Sequence, residues 1–449
     1  MTQAYKYLHF VTLQSLVNWS VAHLLNSDIG FTKHYPFVKI GDVIRRNTTL
    51  VSIEDKTLYK QITLKTNGGG AVLRDKKWGK DIGTKKQYLA KEGQFIMSKI
   101  DARNGAFGVV SKELDNAIVT GDFPLFDVDT KRINPIYLYL LSATKPFVQY
   151  AQSCSRGTTN RQRIDIDAFL SLQIPLPSLE EQNKIVAAYN ATIAQADNLS
   201  EQANDINEQI EVYLKETLGV GTQTSSISVS PYRFMSIYHY RDITNRWDVN
   251  NVRASYDGKY QFKNMADIII GMSTGTTPPT HNKEYFNGDI DFYTPSDING
   301  SMYLEDAERH ISQSAIKDNK ARLFHKGDLL FVGIGSTVGK VGLVEKETVS
   351  SNQQITGITF NTQKVLPEYG FAYMHYFKEY TTADQSKTTL PIVNQEKIAQ
   401  IPIPLPPLAI QNEIVNHITA LRAEQKNLQQ QASDLRLQAA QQFEQTIFN

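Results

Sequence analysis

The most regular feature of the chain is a 4-3 spacing of apolar and small residues that occurs twice. Ile185, Tyr189, Thr192, Ala196, Leu199, Ala203, Ile206, Ile210, Tyr213 and Thr217 form the first run. Ile414, Ile418, Leu421, Gln425, Leu428, Ala432, Leu435, Ala439, Gln442 and Thr446 form the second. Neither run contains Gly or Pro, and the spacing predicts two long helices pairing along a coiled-coil seam. The seam is only partly apolar: its alanines favour close approach, and Thr192, Gln425 and Gln442 favour register over stability. At a rise of about 1.5 Å per residue, ~40 residues make a rod of ~60 Å. Ser178-Leu-Glu-Glu181 reads as a capping box at the start of the first helix.

Outside the helices the pattern shortens. Runs such as FGVV, LLFVGIG and ITGITF read as strands, and PIYLYLLSATKPF and PEYGFAYMHYF as helices. The chain repeats itself. IPLPSLEEQNKIV (Ile174–Val186) returns as IPLPPLAIQNEIV (Ile403–Val415), 229 positions later. Upstream, NWSV at Asn18 answers RWDV at Arg246, and YPFVKIGDVI at Tyr35 answers YQFKNMADII at Tyr260. GQFIMSKIDARNGAFGVV from Gly93 answers GDLLFVGIGSTVGKVGLV from Gly327, aligning Gly93, Gly105 and Gly108 with Gly327, Gly339 and Gly342. A period this long marks a duplicated module, not a solenoid. The expected organisation is a first lobe at 1–172, a first helix at 173–218 and a Gly/Ser/Thr-rich linker at 219–231. A second lobe at 232–401 and a second helix at 402–449 complete it. The fold class is α+β: two mixed α/β lobes joined by two long helices forming an antiparallel coiled coil.

Composition narrows the function. An apolar fraction of 41% over 449 residues predicts a globular protein of several domains. No apolar run is long enough to cross a bilayer, and MTQAYKYLHF lacks a signal-peptide pattern, so a soluble cytoplasmic protein without membrane contact is expected. One cysteine, Cys154, excludes an intrachain disulfide framework. The net charge of +1 conceals a division: residues 1–172 carry 24 Lys/Arg against 15 Asp/Glu, while residues 178–219 carry 2 against 8. Residues 228–401 are near balance, at 18 against 19. A basic lobe beside an acidic helix suits a polyanion partner, which the helix would repel and the lobe would bind.

Apparent catalytic signatures do not hold. GIGSTVGK (Gly333–Lys340) lacks phosphate-loop spacing and has Val341 where a hydroxyl is required, so a tight strand–turn–strand fits better. NPIY at Asn134 lacks the second proline of an adenine-methyltransferase loop, and reads as a helix start with Pro135 near N1, like Pro367. Asp297, Asp318 and Lys320 could be assembled into a metal site, but such residues recur too often to carry weight. The nine histidines lack zinc-helix spacing. No catalytic residue and no metal site are expected.

A polar, basic inventory suited to DNA remains. Ala71–Lys86 gathers Arg74, Lys76, Lys77, Lys80, Lys85 and Lys86 around Trp78, and such cations neutralise phosphates. Lys99 and Arg103 lie in the echoed glycine segment. Ser155–Arg163 packs Arg156, Thr158, Thr159, Asn160, Arg161, Gln162 and Arg163; Arg can fork to guanine, and Asn or Gln to adenine. The second lobe offers Thr276, Thr277, Lys340, Lys387, Thr388 and Asn394. Because the two sets differ, the lobes should read different sequences.

These halves, each ending in IPLP(S/P)L..QN.IV and a heptad helix, resemble the specificity subunit of type I restriction–modification enzymes; Gly271–Ile298 also looks like that family's recognition domains. The resemblance covers essentially the whole chain. It implies two target recognition domains gripping the halves of a bipartite double-stranded DNA site, with the helix pair as spacer. It implies no catalysis and no cofactor in this chain. Two methyltransferase subunits would dock, bind S-adenosylmethionine and flip an adenine, and restriction subunits could join them. Two other classes stand beside it: a coiled-coil scaffold whose lobes bind proteins, and an autonomous modifying enzyme.

Overall fold

The computed structural model describes residues 30–156, 163–220, 258–382 and 391–448. It divides into two compact units, Met1–Leu199 with Gln430–Asn449, and Ser200–Gln429. Each unit holds one lobe and one half of each long helix. The expected NWSV/RWDV echo and most of the linker, from residue 221 to 231, lie outside the described residues. Among the described residues no helix is long and apolar enough to cross a membrane.

Each lobe is built on the segments that echo one another. In the first, a four-stranded antiparallel sheet runs in the order Ile44–Asn47, Leu125–Val128, Phe95–Met97, Phe107–Val109. In the second the order is Ile269–Thr274, Ile355–Phe360, Leu329–Val332, Val341–Leu343. The glycine echo has two causes. Gly105 and Gly339 sit at φ +76° and +88°, a region that L side chains rarely adopt. At Gly108 and Gly342 it is space: an added Cβ would lie 2.6 Å from the Ala71 nitrogen and 2.4 Å from Leu304 Cδ2 respectively. GIGSTVGK is thus the turn between two paired strands. Aromatic side chains fill both cores: Phe95, Phe107, Phe126, Phe147 and Phe169 in one, Phe331, Phe360, Tyr369, Phe371 and Tyr373 in the other. Cys154 is buried, which pushes its thiol up to about 12 and keeps it protonated.

The second sheet of each lobe repeats in strand order and direction but not in extent, with an antiparallel, a parallel and an antiparallel pairing in turn. The first lobe has five strands in the order Leu50–Val51, Gln87–Leu89, Ile118–Val119, Leu58–Leu64, Ala71–Trp78. The second lobe has four, in the order His310–Ile311, Ile290–Tyr293, Thr348–Ser351, Leu323–His325. What diverged is the edges of this sheet: the first lobe adds Leu50–Val51 on one side and has an eight-residue strand, Ala71–Trp78, on the other, where the second lobe has only His310–Ile311.

The repeated IPLP phrase is a fastening. Phe37–Lys39 pairs antiparallel with Gln173–Pro175, and Phe262–Asn264 pairs in the same way with Pro402–Pro404. The Tyr137 hydroxyl donates to the Pro175 carbonyl at 2.9 Å, and Tyr369 to that of Pro404 at 2.6 Å. Gln182, fully buried one turn into the first helix, accepts from the Asn134 N–H at 2.8 Å. Its amide donates to the carbonyls of Arg132 and Pro177 at 3.0 and 2.9 Å. Gln411 repeats this with Leu366, Lys364 and Pro406, each at 2.9 Å. The expected division at 172/173 and 401/402 therefore differs from the structure: the proline-bearing strands complete the lobes, and the helices span Leu179–Leu218 and Leu408–Ile447. The Glu181 N–H donates to Ser178 Oγ at 3.3 Å, the serine half of the expected capping box.

Inside each unit the helix halves run antiparallel. In the second unit the Tyr213 ring lies 4.1 Å from that of His417, while Gln425 donates to the Ala203 carbonyl at 2.8 Å. In the first unit Arg436 pairs with Asp197 at 2.7 Å, and Val186 shares a core with Phe443 and Ile447. Ile206, Ile210, Ile414 and Ile418 are buried; Leu199, Leu421, Leu428 and Leu435 are half-buried. Towards the ends the buried stripe steps one position past the expected seam. Val186 is more buried than Ile185, Leu214 and Leu218 than Tyr213 and Thr217, and Phe443 replaces the exposed Gln442. The step follows from the lobes, whose cores the end residues also serve: Val186 and Phe443 lie in the first lobe's core, Leu214 and Leu218 in the second's. Gly219, at φ +63°, ends the first helix, and Val220 is buried in the second lobe's core. The first two residues of the expected linker are thus packed structure.

Candidate nucleic-acid interface

The expected basic residues of the first lobe fall on two different supports. Arg74, Lys76 and Lys77 lie on Ala71–Trp78, an edge strand of the five-stranded sheet. Between Gln61↔Asp75 and Ile62↔Leu73 the register slips by one, leaving Arg74 as the extra residue of a β-bulge. The bulge turns both Leu73 and Arg74 outward. Lys76 and Lys80 are exposed, and Trp78 is 49% exposed. Lys77 is paired to Asp75 at 3.3 Å. Lys85 is occupied locally, reaching the Gly79 carbonyl at 3.0 Å and Asp55 at 3.4 Å. Edge strands are commonly guarded by such charges, so the same residues also protect the edge from pairing with another chain.

Lys99 and Arg163 come together elsewhere. The Ile164 N–H donates to the Lys99 carbonyl at 2.9 Å, and the Lys99 N–H to the Asp122 carbonyl at 2.8 Å. The Asp122 carboxylate holds Arg163 at 3.4 Å. Burial, followed by the charges of Arg46 and Arg163, pulls the Lys99 ammonium below its ordinary pKa, while Asp122 opposes them. The chain has gathered three cations around one carboxylate, a cluster short of negative charge. Arg46 was missed by sequence reasoning because it is distant in the chain and adjacent only through the sheet. Arg103 sits half-buried in the one-turn helix Ala102–Asn104. Arg156 pairs through its backbone with Arg163 at the base of a hairpin. Thr158, Thr159, Asn160 and Arg161 lie outside the described residues, as do Lys387 and Thr388 in the second lobe.

In the second lobe, Lys340 lines a polar cleft of about 480 Å³ with Thr294, Ser296, Arg309, Asn352 and Gln354. Arg309 also walls a neighbouring cleft of about 660 Å³ with Lys283 and His310. Thr276 and Thr277 lie on the segment beside it: the Thr276 N–H donates to the Ser351 carbonyl at 3.0 Å, and Thr277 Oγ1 to Gln353 at 2.5 Å. Asn394 uses its carboxamide oxygen to cap Gln395–Ala399, accepting from the Lys397 N–H at 3.0 Å. Beneath the clefts, the buried Asp291 receives Lys346 at 2.6 Å, His310 at 3.1 Å and the Tyr293 hydroxyl at 3.2 Å. Hydrogen bonds to Asp291 and Asp306 raise the Lys346 pKa, so its ammonium stays charged and ties down the strand Ile290–Tyr293 that supports the cleft. Sequence reasoning overlooked Thr294, Arg309, Asn352 and Gln354; the signal for all but Arg309 was a cluster of small hydroxyl and amide residues in YTPSDI and SSNQQ.

The first lobe presents cations and the second presents cations with hydroxyls and amides, the groups that bond phosphate oxygens and base edges.

Comparison with known proteins gives one consistent result. Residues 32–212 and 258–434 match the family model described as the type I restriction modification DNA specificity domain. The type I restriction enzyme MjaX specificity subunit of Methanocaldococcus jannaschii is 24% identical over 397 residues, 85% of this chain and 84% of that one. The HindI specificity subunit of Haemophilus influenzae is 22% identical over 320 residues, 62% of this chain and 69% of that one. The MjaIX specificity subunit of M. jannaschii is 26% identical over 183 residues, and the match spans only 39% of its length. A chain from the solved structure on complex assembly and conformational transition of the type I R-M system aligns over 92% of this chain and 96% of that one. Its TM-score is 0.54 at 16% identity, a likeness of fold.

Proposed function

Because this chain belongs to the type I restriction–modification DNA specificity family, we propose that it is the subunit that selects the DNA sequence on which such a complex acts. The observation that carries the reading is the contrast within each lobe. The four-stranded sheet, the fastening strands, the buried glutamine and the strand order of the second sheet are repeated, whereas what the second sheet carries is not: a long bulged edge strand with Arg74 in one lobe, the support of a polar cleft in the other. A shared mount with unlike reading surfaces suits a bipartite, asymmetric site, each lobe reading its own half. The cations of the first lobe's edge, and the cations and amides of the second lobe's cleft, fit phosphate positioning and base-edge readout better than a protein-binding scaffold.

In this reading the chain contributes recognition and no bond-making step. Two methyltransferase subunits that bind S-adenosylmethionine perform the chemistry on double-stranded DNA, with restriction subunits as optional further partners, in the cytoplasm. The paired helices set the number of base pairs between the half-sites. The test is methylation mapping in cells that carry or lack this chain together with its partner subunits. Loss of a single two-part motif on its removal is the expected result. Inserting four residues into both helices should change the gap between the halves and leave the halves themselves intact. An unchanged methylome in the absence of the chain would refute the proposal.

A further inference from the structure

The cleft of the second lobe contains an amide whose direction is set by its neighbours. Asn352 Nδ2 donates to Gln354 Oε1 at 3.0 Å, and the Gln354 N–H returns to Asn352 Oδ1 at 3.0 Å. Gln354 Nε2 donates to the Ile334 carbonyl at 3.4 Å. The Gln354 carbonyl is itself tied to the Gly333 N–H at 2.8 Å, which anchors the residue to the glycine turn. These bonds determine which end of the carboxamide is oxygen and which is nitrogen. They leave one oxygen lone pair and one N–H uncommitted, and the side chain lines the cleft.

A neighbouring acceptor and donor in one plane match the major-groove edge of adenine, whose N6 amino group donates and whose N7 accepts. Guanine presents two acceptors there and would leave the Gln354 oxygen facing a like group. Arg309 and Lys340, on the same cleft, supply the positive charge that holds phosphates beside a base edge. A free glutamine could flip and serve either base; this one is held in a single sense. We propose that Gln354 is a specificity-determining residue that reads one adenine in the half-site taken by the second lobe, with Asn352 as its positioning residue. The proposal deepens the specificity reading above and rests on it.

The experiment compares the assembled methyltransferase complex containing the parent chain, Gln354→Ala or Gln354→Glu on a panel of duplexes. Each duplex differs from the mapped site by one base pair. The parent should discriminate at every specified pair; if it discriminates at none, the specificity reading itself fails. With Gln354→Ala, discrimination at one A·T pair of a single half-site should fall by about tenfold to a hundredfold, with the other positions unchanged. Gln354→Glu keeps the shape but replaces the donor with an acceptor, and should move the preference at that pair towards cytosine, whose N4 donates. Unchanged discrimination at every A·T pair, or a uniform loss over all duplexes with both variants, overturns the assignment while leaving the specificity reading intact. Asn352→Ala should relax the same pair and no other.

Discussion

Replacing Gln182 with leucine tests the fastening of the first lobe. Leucine fills nearly the same space, so the change is one of hydrogen bonding rather than packing. Three bonds are lost: from the Asn134 N–H to the side-chain oxygen, and from the side-chain amide to the carbonyls of Arg132 and Pro177. At ~1 kcal/mol net for each bond, plus ~1–3 kcal/mol for an N–H left buried and unpaired, the loss is about 4–6 kcal/mol. An apolar side chain cannot recover this, because the groups it abandons are backbone and remain in place. At ~2–4 °C per kcal/mol for a unit of this size, melting should fall by roughly 8–24 °C. Gln411→Leu should act comparably on the second unit, where Leu366, Lys364 and Pro406 lose their partner. Calorimetry reads the stability, and hydrogen exchange reads the cause: the Asn134 amide should lose protection in one variant and the Leu366 amide in the other. A Gln182→Leu chain within ~1 kcal/mol of the parent, with Asn134 still protected, would refute the reasoning.

Three further outcomes are expected. His375 lies against Phe371, Tyr376, Lys378 and Arg422, and burial, followed by the charges of Arg422 and Lys378, lowers its pKa to about 4. Its neutral form is required in the fold, so its contribution is complete above the ordinary ~6.5 and is lost as pH falls towards 4; pH 5 should cost ~2 kcal/mol, seen in urea titrations. His375→Phe should flatten that acid limb, and an unchanged limb would disprove the assignment. Arg422→Lys keeps the charge but loses the fork to the Gly300 carbonyl and the Tyr376 hydroxyl and the stacking on Phe371 at 5.0 Å; denaturation should report a loss of ~1–2 kcal/mol. Replacing Arg74, Lys76 and Lys80 together with alanine should lower the slope of log affinity against log salt by up to ~2.7 in the assembled complex, with base preference intact; an unchanged slope would place that edge away from the duplex.

Legibility in the sequence followed the range of the interactions involved. The long helices were readable because spacing, caps and the absence of Gly and Pro are local signals. The duplication was readable because Gly105 and Gly339, or Gly108 and Gly342, answer to backbone geometry and space that no other residue meets. The stripe's drift at Phe443 was not readable, since it depends on which neighbours the helix ends meet. Gln182 and Gln411 stood in plain view within the repeated phrase, yet a glutamine in a polar helix ordinarily faces solvent. Only the folded lobe reveals three backbone groups awaiting each of them. Arg46 beside Lys99, and Gln354 beside Ile334, are brought together by sheet and turn contacts without any sequence spacing to announce them.

Among the described residues, the first and last strands of each lobe lie side by side, Phe37 opposite Pro175 and Phe262 opposite Pro404. The chain therefore enters and leaves a lobe through one doorway, and everything between those two points hangs from a single frame of main-chain bonds. A different stretch of protein with the same doorposts could be hung there without disturbing the shaft behind it. Such a molecule can acquire a new vocabulary by exchange of one contiguous segment, where most proteins would need many coordinated substitutions.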